Sequence, residues 1–468
     1  VFCPVKMPNQ NLPANVDELL QFISVNMNSE GYDAVAKQLA PVLKQIPQQC
    51  YLQSTSDNRD PLDLLDQALF SLPYTYFLAA RCQADRPNAA RLIQCILQFF
   101  TVFDAHQVRL APDKFLQVAQ GLCRLATIYG NGNSVIAVKP LANALQRYAL
   151  TPNHLTNLHQ MFVKECLLLR CYKQALPILQ NDITEIDVPS TAISYTDHLL
   201  YHYYGAMIYI GLKNYERALY FLKLVISAPA NVTSQIQIEA YKKFTLVSLL
   251  VHGKIAQLPK YTANVVFRSV KNQCQAYQDY ASAFESLNVK RLRNEFTKWS
   301  DAFRKDKNLG LAKQTLDAIY RRNIQQLTQT YLTLSLADIA DTVGLEGRDA
   351  PKMAENYVLR MIESREIFAT ISHSHQNGMV SFHDNPDRYD TSLTITQLEG
   401  QINKATTVSE RVIKTDRLVG CSKEYLQKSQ HMLAGGAIPG GLGPGDDPDF
   451  LGGGGGYENF IDEGKYFS

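Results

Sequence analysis

From about residue 13 to 330 the sequence reads as one amphipathic helix after another, and period-two alternation is almost absent. Each such helix carries one apolar stripe, so each needs a neighbour to cover it. Pro and Gly gather at the joints, as in NSEGYD, SLPYTY and YGNGNS. Short joints between helices favour antiparallel hairpins. A weak internal repeat fits this: LLLRCYKQALPIL (167–179) lies over IGLKNYERALYFL (210–222) at an offset of 43. Leu169 matches Leu212, Tyr172 matches Tyr215, Ala175 matches Ala218, Leu176 matches Leu219, and Leu179 matches Leu222. The Tyr supplies a knob and the Ala a place for close approach. LLVHGKIAQL (249–258) is a poorer third copy. Offsets near 40 typify two-helix repeats. The expected fold is mostly α, a right-handed solenoid of tetratricopeptide-like helical hairpins. The bland alternative is two unrelated helices sharing a pattern.

The pattern changes after residue 330. In LSLADIADTVGL (334–345), Leu336, Ile339, Ala340 and Val343 form one helical stripe. Ser335 stands at the N-cap, Asp338 completes a weaker capping box, and Gly344 is placed to end the helix. APKMAENYVLRMIESRE predicts a second helix, with Ala354, Val358, Met361 and Ile362 on its buried face. IFATIS (367–372) and MVSF (379–382) then alternate around HSHQNG, where Asn377-Gly378 is turn material. Helix, helix, hairpin is the order of a winged helix.

Winged helices often read DNA, but this one is acidic. Across 334–366, Asp and Glu outnumber Lys and Arg by seven to four, and the whole chain carries a formal net charge of only +2. A polyanion gains little here, so protein docking is expected instead. Phe368, Thr370, Val380 and Phe382 are the candidates for pairing the wing with a sister winged helix, edge to edge.

From Thr391 to about Leu433 the chain is again helical, with Leu398, Ala405, Val412, Val419, Leu426 and Leu433 recurring every seven residues. Ile402 and Val408 widen the stripe only at its start. A seam this narrow suits one helix in a shared bundle better than a self-paired coiled coil. Leu398, Ile402, Val412, Val419 and Leu426 are its candidate contact residues. Beyond Gly435, Gly and Pro dominate, and a solvated tail is expected.

The nine cysteines include no CxxC pair and sit mostly among apolar residues, which reads as reduced, buried thiols inside a cell. No apolar run is long enough to span a bilayer, and VFCPVKMPNQNLP lacks the apolar core of a signal peptide. One group of residues suggests chemistry. His373-Ser374-His375, with Asp387 further on, approaches the JAMM zinc pattern, in which two imidazoles and a carboxylate hold Zn²⁺. Gln376 replaces its Pro and Asp384 its Ser, so a polar turn is the better reading. Asp306 in KDKNLGL reads as helix-start chemistry rather than as a general acid.

Helical hairpins, a winged helix and a C-terminal helix, in that order, resemble the PCI family of scaffold subunits found in the proteasome lid, the signalosome and a translation initiation factor. GKIAQLPKYT, LTLSLADIA, AENYVLRMIESREIFATI and GMVSFHDNP are similar to signalosome members, from roughly residue 200 through YLQKS (425–429). The resemblance implies a helical-repeat region over 1–190 and a PCI domain over 191–390, with hairpins to 330 and the winged helix from 331. A bundle helix over 391–433 and a tail over 434–468 complete it. It further implies a non-catalytic scaffold subunit of a cytoplasmic and nuclear complex that removes Nedd8 from cullin-RING ubiquitin ligases. Its partners would be other PCI and MPN subunits, one of them holding the zinc site, with no cofactor, nucleic acid or membrane. Alternatives are a lid or initiation-factor subunit and, from another class, a zinc isopeptidase using His373, His375 and Asp387. The Gly-rich end departs from the family.

Overall fold

The computed structural model describes residues 15–27, 32–56, 59–84, 89–129, 134–345, 347–373, 378–384 and 391–433. The chain divides into two units, residues 1–383 and 384–468.

In the first unit the described chain is helical up to Thr330, apart from a short parallel pairing of His154–Leu155 with Glu185–Ile186. Helices pack on their chain neighbours. Asn157–Leu168 lies against Tyr195–Gly211, which lies against Tyr215–Ser227, and that against Gln235–His252. Gln235–His252 then meets Gln275–Glu285 and Leu309–Thr330. One apolar core is continuous from Leu19 to Phe382. Among the described residues no helix is long and apolar enough to cross a membrane.

The two copies of the repeat share a turn that the sequence reading did not anticipate. Arg170 and Lys213, at matched positions, both take the left-handed conformation, with φ of 56° and 61°. Each lets the next residue reach back to the helix just ended: Cys171 N–H donates to the Cys166 carbonyl and Asn214 N–H to that of Tyr209, both at 2.9 Å. This pairs carbonyls that a helix end would otherwise leave bare. Lys307 and Arg365 repeat it, with Asn308 N–H on Phe303 (2.8 Å) and Glu366 N–H on Met361 (2.9 Å).

The expected close packing is present and goes further than the matched Ala175 and Ala218, both fully buried. A Cβ on Gly211 would stand 2.9 Å from the Tyr172 ring, and one on Gly205 would stand 2.8 Å from Phe221. The third stretch keeps only half of the pattern. Its helix ends at His252 and Gly253 is left-handed (φ 73°), but no helix follows until Asn264. The Arg322 guanidinium fills the space against Gly253 and donates to the His252 carbonyl, so a distant helix supplies the closure.

Asp306 does not start a helix. It ends Val289–Lys305, accepts from Lys242 Nζ (3.0 Å) and takes the Tyr277 hydroxyl hydrogen bond (2.8 Å). Asn308 Nδ2 donates to the same hydroxyl (2.9 Å), and Lys243 Nζ donates to Asn308 Oδ1 (3.0 Å). Charge buried between helices is tolerated only when paired in this way. Cys82, Cys123 and Cys166 are buried thiols, and burial pushes each up to about 12, away from reactive thiolate.

Histidines are buried here too. His159 completes a capping box: its Nδ1 accepts the Thr156 N–H at 3.0 Å, which only a neutral ring allows. Burial pushes its pKa down to about 3. His202, whose Nδ1–H donates to the His198 carbonyl at 2.9 Å, is likewise pushed down to about 3, by burial first and then by His198 beside it.

Two outcomes follow from this packing. In the unfolded chain these imidazoles protonate near 6.5, while in the fold they stay neutral to about 3. The unfolded state therefore binds more protons across that window, and stability, fully present above it, is lost as pH falls through it. Urea melts at stepped pH should show this, and His159→Gln, which keeps the capping box, should reduce the acid loss. Separately, Gly205→Ala should destabilise the chain by about 1–3 kcal/mol through overpacking against Phe221, read from the same melts.

Candidate assembly interface

The winged helix forms where the sequence places it. Leu336–Val343 is a helix whose Leu336, Ile339, Ala340 and Val343 are all buried. Ser335 Oγ accepts the Asp338 N–H (3.1 Å) and donates to the Asp338 carboxylate (2.6 Å), and Gly344 ends the helix at φ 76°. Ala350–Glu363 follows, packing through Ala354, Val358 and Met361. Strands Ala369–Ser372 and Met379–Phe382 pair antiparallel, and a third strand, Thr333–Ser335, unread in the sequence, joins them. The order places Met379–Phe382 in the centre and Ala369–Ser372 at one edge. Gly378, left-handed at φ 54°, lies so close to Leu336 that a Cβ would stand 2.7 Å from it.

The four wing residues do not make one surface. Val380 and Phe382 are buried in the chain's own core, as members of the central strand must be when helices cover one face. Their partners across the ladder are Ile371 and Ala369, so Phe368 and Thr370 alternate to the opposite face. Thr370 is exposed, its hydroxyl 2.9 Å from His383 Nε2, and Phe368 is half-buried. Among the described residues no further strand covers the outer side of Ala369–Ser372. That side offers backbone groups as a template for another strand.

In the second unit, Ser392–Gly420 is a long helix with no buried residue, and Lys423–Leu433 follows after a turn at Cys421 and Ser422. The sequence reads one helix here. Ser422 Oγ instead accepts the Tyr425 N–H (3.4 Å), starting a new helix. Leu398, Ile402, Val412, Val419 and Leu426 are all about half exposed, between 48 and 59%. Ile395, Ile413, Leu418 and Tyr425 are equally bare, and the seven-residue count passed over them. Val412 and Val419 are single members of a band wider than a coiled-coil seam.

Of the zinc candidates, His373 is described, its Nε2 3.3 Å from Glu355; His375 and Asp387 lie outside the described residues, as does the tail from 434. Among the described residues no group of three or more His, Cys, Asp or Glu side chains is placed to hold a metal ion.

Comparison with known proteins matches this architecture. The model for the N-terminal helical repeats of COP9 signalosome complex subunit 3 matches residues 33–266, and the PCI domain model matches 296–384. The COP9 signalosome complex subunit 3 of Dictyostelium discoideum is 35% identical over 83% of this chain and 90% of its own length. That of Arabidopsis thaliana is 37% identical over 79% and 84%. The chain belongs to the COP9 signalosome subunit 3 family. The matched repeats span the helices from Tyr32–Gln45 into Asn264–Gln273, and the PCI match runs from within Val289–Lys305 through the winged helix to the end of the wing.

The cap at Ser335 holds the first of the winged-helix pair. Ser335→Ala should cost about 1 kcal/mol in denaturant unfolding, and Ser335→Thr should recover most of it.

Proposed function

We propose that the chain is a non-catalytic scaffold subunit of the signalosome, the assembly that removes Nedd8 from cullin-RING ubiquitin ligases, and that it works in cytoplasm and nucleus. The observation that carries this is the bare apolar band on Ser392–Gly420 in a chain of this family. Large aliphatic side chains gain about 1 kcal/mol or more each when covered, so a band of this extent favours helices from other chains. The wing edge at Ala369–Ser372 suits strand addition by another PCI subunit, with Phe368 and Thr370 beside it. PCI subunits would meet the edge, and PCI and MPN subunits would share the helical bundle. Catalysis would then reside on a zinc-bearing partner.

Val412→Glu with Val419→Glu should release the chain from sister subunits in co-purification and leave the melting of the first unit unchanged. Removal of 391–433 should do the same. Retention of the full subunit set by both variants would contradict the bundle role.

A further inference from the structure

Within the first unit, the joint between solenoid and winged helix holds two adjoining cavities of about 610 and 550 Å³. They share Lys213, Tyr215, Leu250, Arg321 and Glu366. Apart from Leu250, every residue lining the second carries a polar side-chain group. Four cations line it: Lys213 from the left-handed turn, Lys313 and Arg321 from Leu309–Thr330, and Arg360 from the second winged-helix helix. Its two carboxylates are already engaged. Asp317 accepts the Tyr357 hydroxyl (2.5 Å), and Glu366 pairs with Arg321 (3.4 Å) and accepts from Ser364 (3.1 Å).

Three of the four cations are not. Lys213, Lys313 and Arg360 are exposed and form no ion pair with another described residue. Arg321 Nε is buried and donates to no described group. A buried donor without an acceptor costs about 1–3 kcal/mol. Like charges gathered in one cleft add repulsion. Tyr215, Gln314 and Ser364 supply further hydrogen-bonding groups around the same space. Such a lining suits a compact anion with several charged oxygens.

We propose that this cleft binds a soluble, multiply phosphorylated small molecule. Its oxygens would take Lys213, Lys313 and Arg360, beside the Arg321 guanidinium. A ligand so held touches the solenoid turn, the long helix and the winged helix together. It braces the wing against the solenoid by offsetting charges that otherwise repel. This site is separate from the wing edge and the C-terminal helix, and stands whether or not those surfaces bind other subunits.

Inorganic tripolyphosphate is the probe, titrated into the full chain by calorimetry at low salt, with thermal melting in parallel. Binding should raise the melting temperature and weaken steeply with added salt. Lys213→Ala with Lys313→Ala, both exposed, removes two of the repelling charges, so it should not lower the unliganded melting temperature, and it should weaken binding by about tenfold or more. No binding, or equal binding by the double variant, overturns the proposal. So does a Glu-rich peptide that binds with the same dependence while tripolyphosphate does not, since the cleft would then serve a protein segment.

Discussion

A helix that ends inside a packed array leaves its last carbonyl groups facing protein instead of water, and they must be paired where they stand. Arg170, Lys213, Lys307 and Arg365 answer this by turning left-handed, each allowing the following N–H to bond the carbonyl five residues back. A side chain in that conformation costs roughly 1 kcal/mol or more. The bond offsets it and also fixes where the next helix begins. The direction of each hairpin, and so the burial of Ala175, Ala218 and the helix faces beyond them, depends on these turns. The close contacts at Gly205 and Gly211 are possible only because the turns deliver the helices in that register.

The winged helix obeys the same constraint through Gly344, and it spends its apolar side chains on its own core. What it leaves over is strand edge, which is backbone and carries little side-chain information. The C-terminal helix is the opposite case: it satisfies its backbone internally and buries no side chain. One surface offers hydrogen-bonding groups with a fixed direction, and the other offers apolar area. Two weak and different demands of this kind suit a subunit held by several neighbours at once.

Much of this was readable from residue order. Ser335, Asp338 and Gly344 mark a helix by local chemistry, and that helix runs from Leu336 to Val343. MVSF alternates and is a strand at those four residues. Thr333–Ser335 was not readable, because three residues give no alternation to count and only the ladder to Met379–Phe382 makes them a strand. The opposite faces of Thr370 and Val380 likewise follow from register, which a single strand does not specify. Asp306 misled because Lys242 and Tyr277, which occupy it, lie far away in the chain.

The sequence by itself determined which segments are helical, where several of them stop, and which face of each is apolar. Those depend on neighbours within a turn or two of the chain. Only the tertiary structure decided which faces find cover within the chain, which charged groups meet, and that four cations converge on one cleft between solenoid and wing. These depend on distances between residues up to about a hundred and fifty positions apart, and those distances are set by the cumulative geometry of every turn between them.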